Sequence, residues 1–273
     1  MMKRTLLDIR FIFVMIGIAV TLLSCTSDYD GYDEKEVVCF TAEVACDTVT
    51  RAVGVVTADR LTVCVLCGTQ ELQRVEYDFD RSPMNVELAL SKGQKYNIVF
   101  WAQNSQCGIY DIADITAIRM SDVIASTAFG DVEKRDAFCA VVENLEIDGA
   151  VKHCGVVMKR PLALMNVGTA GDAADAVFTV KNAPEYYNPL TKTVSGCCDY
   201  VWKFNGCANE TFMVEGVVYN RLASGFLFAP ENEMKVECEM EISSSNGGYV
   251  DIAFGQVVIE ANKKSNIVGN LTD

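Results

Sequence analysis

From residue 37 onward the chain reads in short runs where apolar and polar residues alternate, and nothing else restricts its fold as much. A side-chain period of two belongs to a strand with one face on a core. The run 37–46 puts Val38, Phe40, Ala42 and Val44 on one face, and 61–67 puts Leu61, Val63 and Val65 on one face before Gly68 ends it. Runs at 70–79, 86–90 and 96–101 follow, separated by Ser82-Pro83 and Lys92-Gly93, and 112–120 and 137–142 bring the first set to roughly seven strands. The pattern resets at Asp148-Gly149. Strand-like runs then recur at 150–158, 162–167, 176–181, 200–204, 211–219, 225–228, 234–242 and 249–260. Ser243-Ser244-Ser245-Asn246-Gly247-Gly248 joins the last two as a hairpin loop. No long helical period and no fixed-period repeat is present in this part of the chain. Closely spaced turns without intervening helices predict an all-β chain of antiparallel sandwiches rather than βαβ units. The expected domains are residues 37–147 and 148–273, with a boundary near 146–149.

The amino end follows a different rule. Lys3, Arg4 and Arg10 precede an apolar run over 11–23 that stops at Ser24-Cys25. A basic head and a short apolar core are the parts of a secretory signal peptide. A membrane-spanning helix needs about 20 apolar residues, so the run is too short to serve as one. The junction resembles a bacterial lipobox, which implies that residues 1–24 are removed and that Cys25 carries lipid. Residues 25–36 then form an acidic tether through Asp28, Asp30, Asp33, Glu34 and Glu36. Without residues 1–24 the chain has 20 basic and 36 acidic residues, a net charge of −16. Such a surface repels nucleic acid and anionic lipid at long range, so neither is an expected partner.

Sites of chemistry are scarce. The chain has 12 cysteines, and if Cys25 holds lipid the remainder is odd, so at least one has no partner within the chain. Cys64-Val65-Leu66-Cys67 stands without a second pair, and in a strand its two thiols point to opposite faces. Most cysteines lie in alternating apolar runs, where Cys acts as a small buried hydrophobe. The single histidine, His153, reads as structural, since its neighbour Cys154 would face the other way. No nucleophile elbow, phosphate loop or zinc-protease helix occurs. No catalytic residue, metal site or cofactor is expected. Tyr96 and Phe100 share one face and Trp101 takes the other, which reads as core on at least one side. Tyr186-Tyr187, in a stretch bounded by Pro184 and Pro189, is the candidate exposed aromatic contact.

An ordered set of motifs resembles the fimbrillin-like lipoproteins of Bacteroidales. They are Thr50-Arg51-Ala52, Lys95-Tyr96-Asn97-Ile98-Val99-Phe100-Trp101-Ala102-Gln103 and Lys134-Arg135-Asp136-Ala137-Phe138 in the first half. Lys159-Arg160-Pro161-Leu162-Ala163, Asn166-Val167-Gly168-Thr169 and Lys264-Ser265-Asn266-Ile267-Val268-Gly269-Asn270-Leu271 follow in the second. The resemblance implies two tandem transthyretin-like Greek-key sandwiches on a lipoprotein of the outer membrane, exposed at the cell surface. It also implies partnership with other fimbrial subunits by strand exchange, released by cleavage at Arg51–Ala52, or with a host or bacterial surface ligand. The other reading of Arg51 is a solvated loop residue. Because Leu271-Thr272-Asp273 leaves little chain for a donor strand, an accessory, tip or anchor role is expected over a shaft subunit. A carbohydrate-binding lipoprotein of a glycan-uptake system is the alternative.

Overall fold

Strands whose alternation is strict lie in outer sheets with one face on a core, and those apolar on both faces lie between layers. The computed structural model describes residues 34–45, 57–121, 123–124, 132–149, 152–171, 175–205, 210–243 and 248–271. The signal peptide, Cys25 and the Arg51–Ala52 bond lie outside the described residues.

The first sandwich has two sheets. In one, β1 (Lys35–Val44) lies between β4 (Met84–Ser91) and β10 (His153–Met158). In the other, the order is β3 (Gln70–Asp78), β2 (Arg60–Cys67), β5 (Lys95–Gln103) and β9 (Ala137–Glu146). Val38, Phe40, Val86, Leu88, Leu61, Val63, Ile98 and Phe100 meet between them in one core. Phe40 and Phe100 pack there with ring centres 5.5 Å apart.

The second sandwich repeats the plan. One sheet runs β16 (Thr211–Val214), β17 (Val217–Phe228), β11 (Leu162–Thr169), β20 (Lys264–Gly269). The facing sheet runs β19 (Tyr249–Ile259), β18 (Met234–Ser243), β12 (Asp175–Ala183), β15 (Cys198–Asn205), β8 (Val123–Ile124). A small bridging sheet takes β6 (Tyr110–Asp111) and β7 (Ile118–Met120) from the first half, and β13 (Tyr186–Asn188) and β14 (Thr193–Ser195) from the second.

Three pairings depart from the antiparallel expectation: β1 with β10, β11 with β20, and β15 with β8 run parallel. The first two share a logic. In each sandwich the first strand lies beside the last, and a parallel neighbour requires a long connection, which the intervening strands supply. The boundary expected near 146–149 lies ahead of β10, which returns to the first sandwich, and the chain enters the second through 159–161. The run expected as one strand over 112–120 is broken because the Asp114 carboxylate accepts from the Thr116 amide and hydroxyl at 2.9 and 2.7 Å. The run over 211–219 is a hairpin, since Glu215 and Gly216 both take positive φ (51° and 82°), the backbone of a two-residue primed turn.

The two sandwiches are not separate bodies. Residues Lys35–Asp273 form one compact unit. β2 and β5 are buried on both faces: Leu61, Val63 and Phe100 fill the first core, while Cys64, Leu66, Val99 and Trp101 join the core of the second sandwich.

Candidate functional site

The family-like motifs turn out to be partners of one another. Arg160, at the crossing between sandwiches, donates from Nε and Nη2 to the two oxygens of Asp136 at 2.5 and 2.6 Å. A fork of this kind is the strong form of an ion pair. The Arg160 guanidinium also lies between the rings of Phe138 (5.4 Å) and Phe226 (5.7 Å), one from each core. In the second sandwich Asn166 and Asn266 face each other across the parallel pair, and the Asn166 amide donates to the Asn266 carbonyl oxygen at 3.2 Å. Ser224 Oγ donates to Asn166 Oδ1 at 2.8 Å, and Thr169 Oγ1 accepts from Leu271 N at 3.1 Å. These residues hold the fold. They do not form a reactive centre.

β1 is the element on which assembly would act. Residues 35–42 pair antiparallel with 84–91 and residues 39–44 pair in parallel with 153–158, so β1 is hydrogen-bonded on both edges. Its inward side chains Val38, Phe40, Ala42 and Val44 are buried. At its start Glu36 accepts from Gly149 N at 3.1 Å and pairs with Lys92 at 3.1 Å. Taking β1 away would leave two unpaired strand edges over a row of apolar pockets, the condition for strand addition.

Tyr186 and Tyr187, expected as an exposed aromatic contact, form β13. Tyr187 is only 7% exposed and stacks on Phe228 with ring centres 5.7 Å apart and planes at 22°, so it does not offer an open platform. Alternation turns Tyr187 inward, and Tyr186 lies half-buried against Gly196, where a Cβ would be 2.7 Å from the Tyr186 ring. Trp101, Phe100 and Tyr96 are all buried, on two different cores.

The packing reading holds for three of the nine described cysteines; Cys39, Cys107, Cys154 and Cys198 are half-buried, and Cys67 and Cys197 are exposed. Cys64, Cys139 and Cys238 are buried, and burial pushes each thiol up to about 12, far from a reactive thiolate. Cys67, three residues after Cys64, is exposed. Among the described residues no cluster of three or more His, Cys, Asp or Glu could hold a metal ion. His153 begins β10 opposite Cys39 and lies at the surface. No described helix is long and apolar enough to cross a membrane.

Where the chain passes between sandwiches it leaves a cleft of about 880 Å³. β9 and β10 supply one wall and β13 another; the β18 approach at Glu231 and the turn from β19 into β20 complete it. Among the described residues its lining holds five cationic side chains (Lys159, Arg160, Lys192, Lys263 and Lys264) against two carboxylates, Glu231 and Glu260. Burial, and then the Arg221 charge, lower the Lys264 ammonium below its ordinary value. No sequence pattern announced this cleft, because its residues come from five separated stretches. The nearest signal was Lys263-Lys264, a doublet of cations in an acidic chain.

The model of a family of unknown function, DUF6562, matches residues 37–272. No curated protein matches. Solved structures share the fold at low identity. A candidate polysaccharide-binding protein (DUF1812) of Bacteroides thetaiotaomicron is 11% identical over 79% of each chain, with a TM-score of 0.51. A candidate adhesin of Bacteroides ovatus is 10% identical over 85% of this chain and 92% of that one, with a TM-score of 0.51. A candidate cell adhesion protein of Bacteroides eggerthii is 11% identical over 87% and 88%, also at 0.51. The likeness extends over both sandwiches and is one of fold.

Proposed function

This chain belongs to the DUF6562 family, a family of unknown function, and we propose that it is a non-catalytic adhesion or assembly protein of the cell surface. In this reading it acts as an accessory, tip or anchor subunit of fimbrial type and is held to the outer membrane by lipid on Cys25. The sandwich plan shared with Bacteroides adhesins supports the adhesion reading.

The observation that carries the reading is the placement of β1. It is central in its sheet, paired on both edges, and followed by the segment that contains Arg51. Cleavage of Arg51–Ala52 would cut the covalent tie between β1 and β2, so that a strand from a neighbouring subunit could take its place. β20 is already paired with β11 inside the chain, which suits a subunit that receives a strand rather than one that gives its own.

The test is mass spectrometry of the protein taken from its native outer membrane. A diacylated amino-terminal peptide at Cys25, with a second species beginning at Ala52, is the expected result. If only the Cys25 form exists and trypsin leaves Arg51 intact, β1 is a permanent strand and exchange is ruled out, with the anchored adhesion reading kept. An unacylated amino terminus would overturn the anchor.

A further inference from the structure

The cleft between the sandwiches has more hydrogen-bond donors than it uses. Its two carboxylates are engaged: Glu260 accepts from Lys263 at 2.7 Å, and Glu231 faces Lys192 at 3.9 Å. Arg160 is committed to Asp136. Lys159 and Lys264, by contrast, make no side-chain hydrogen bond or ion pair with any described residue. Asn266 lines the cleft, accepts from the Asn166 amide through its carbonyl oxygen, and donates from its own amide to no described residue. The surplus is all donor, and two of the three groups are cationic. Such a lining selects a ligand rich in acceptors and negatively charged. In a chain of net charge −14 it is a local reversal of sign.

The backbone around the cleft argues against a peptide strand. Cys139 and Lys159 already exchange both of their hydrogen bonds, at 2.8 and 2.9 Å. Ala229 N donates to Pro161 O, Ala261 N to Pro230 O and Asn262 N to Leu162 O. β20 is the edge strand of its sheet, and Ser265 Oγ reaches from it to Val258 O of β19 at 2.7 Å. Strand addition works through backbone groups, whereas the surplus donors of this lining are side chains. The apolar part of the lining includes Val141, Pro161, Pro189 and Tyr187. A volume of about 880 Å³ lies in the range of organic-ligand sites and is far larger than a bare inorganic anion requires.

We propose that this cleft binds an acidic oligosaccharide, with a carboxylate-bearing sugar at Lys159, Lys264 and Asn266 and the sugar's apolar face toward the apolar lining residues. The inference deepens the adhesion reading and rests on it for access to ligand at the cell surface; binding itself is a property of the folded chain. A bound carboxylate would also oppose the burial that weakens the Lys264 charge.

The experiment is titration calorimetry on the detergent-solubilised full chain. The probes are tetragalacturonate, a hyaluronan hexamer and sialyllactose, with fully methyl-esterified tetragalacturonate, lactose and hexaglutamate as comparators. At least one acidic sugar is expected to bind about tenfold or more tighter than its neutral counterpart and than hexaglutamate. The double substitution Lys159→Gln/Lys264→Gln is expected to weaken it by about tenfold or more at unchanged Tm. If the double variant unfolds, the surface substitution Lys159→Gln alone should still cost several-fold. The proposal is overturned if no acidic sugar binds, if neutral sugars or hexaglutamate bind equally well, or if the folded lysine variants keep full affinity. Failure here leaves the Cys25 anchor standing, and failure of the anchor leaves the binding constant measurable.

Discussion

At the scale of single residues, Arg160 ties the crossing between the sandwiches to both cores. Its side chain is 9% exposed and Asp136 is 14% exposed, and the fork between them is buried against Phe138 and Phe226. A buried ion pair is a weak stabiliser compared with an apolar replacement, but breaking it leaves one charge stranded. Arg160→Met is therefore expected to cost about 3–5 kcal/mol in urea unfolding, whereas Arg160→Met with Asp136→Leu should recover much of the loss. Equal losses in the single and double variants would mean that the pair is not what holds the crossing. The motif containing Asp136 and the motif containing Arg160 stood out in the sequence 24 residues apart, but their meeting did not. Ion pairing across a chain reversal has no period for pattern reading to detect.

At the scale of elements, legibility followed burial. Strands buried on one face, such as β1, β4 and β18, show the alternation that their burial produces, and they were readable in the sequence. β2 and β5 are buried on both faces. Alternation placed Leu61, Val63 and Val65 on one face and Trp101 opposite Tyr96 and Phe100, as found. The near-continuous apolar runs did not show that the second face packs into another core. The antiparallel pairing of β18 with β19, Ser243 opposite Tyr249, fits the expected hairpin, which small and glycine residues mark in the sequence; 244–247 of its loop lie outside the described residues. The Glu215-Gly216 turn was missed because apolar residues flank it closely. β17 offers a sharper test of element packing. At Gly225 an added Cβ would lie 2.5 Å from Trp202 Cζ2 in the facing sheet, and the Trp202 ring is itself packed on Phe178 at 5.6 Å. Gly225→Ala should destabilise by about 1–3 kcal/mol through overpacking. Gly155→Ala in β10 meets no atom within 4 Å and should be neutral or slightly stabilising, as expected when a strand glycine is replaced without a clash. Matching urea midpoints for the two variants would refute the account of Gly225 as a space-maker for Trp202.

At the scale of the whole molecule, the alternation implies two sandwiches, and the packing joins them in one compact unit. The outer face of β2 and β5 would be the surface of an independent first domain, yet Cys64, Leu66, Val99 and Trp101 there belong to the core that also holds Phe178, Trp202 and Phe228. Aromatic contacts continue across it: Trp101 meets Tyr110 edge-on at 5.4 Å, Tyr110 lies 5.9 Å from Phe228, and Phe228 stacks on Tyr187. The bridging sheet adds backbone continuity, since Ile118 from the first half pairs with Tyr187 from the second. Domains joined by a small polar interface unfold separately, whereas a shared apolar core ties their stabilities together. Calorimetry of the full chain should therefore show one transition whose van't Hoff and calorimetric enthalpies agree. Trp101→Ala should lower that single Tm without splitting it, because the cavity it leaves weakens both halves together. Two resolved transitions in the wild-type chain would show that the shared core does not couple the sandwiches. The cleft at their junction would then move between bodies that can separate, and a ligand held by Lys159 on one side and Lys264 on the other would act as the tie between them.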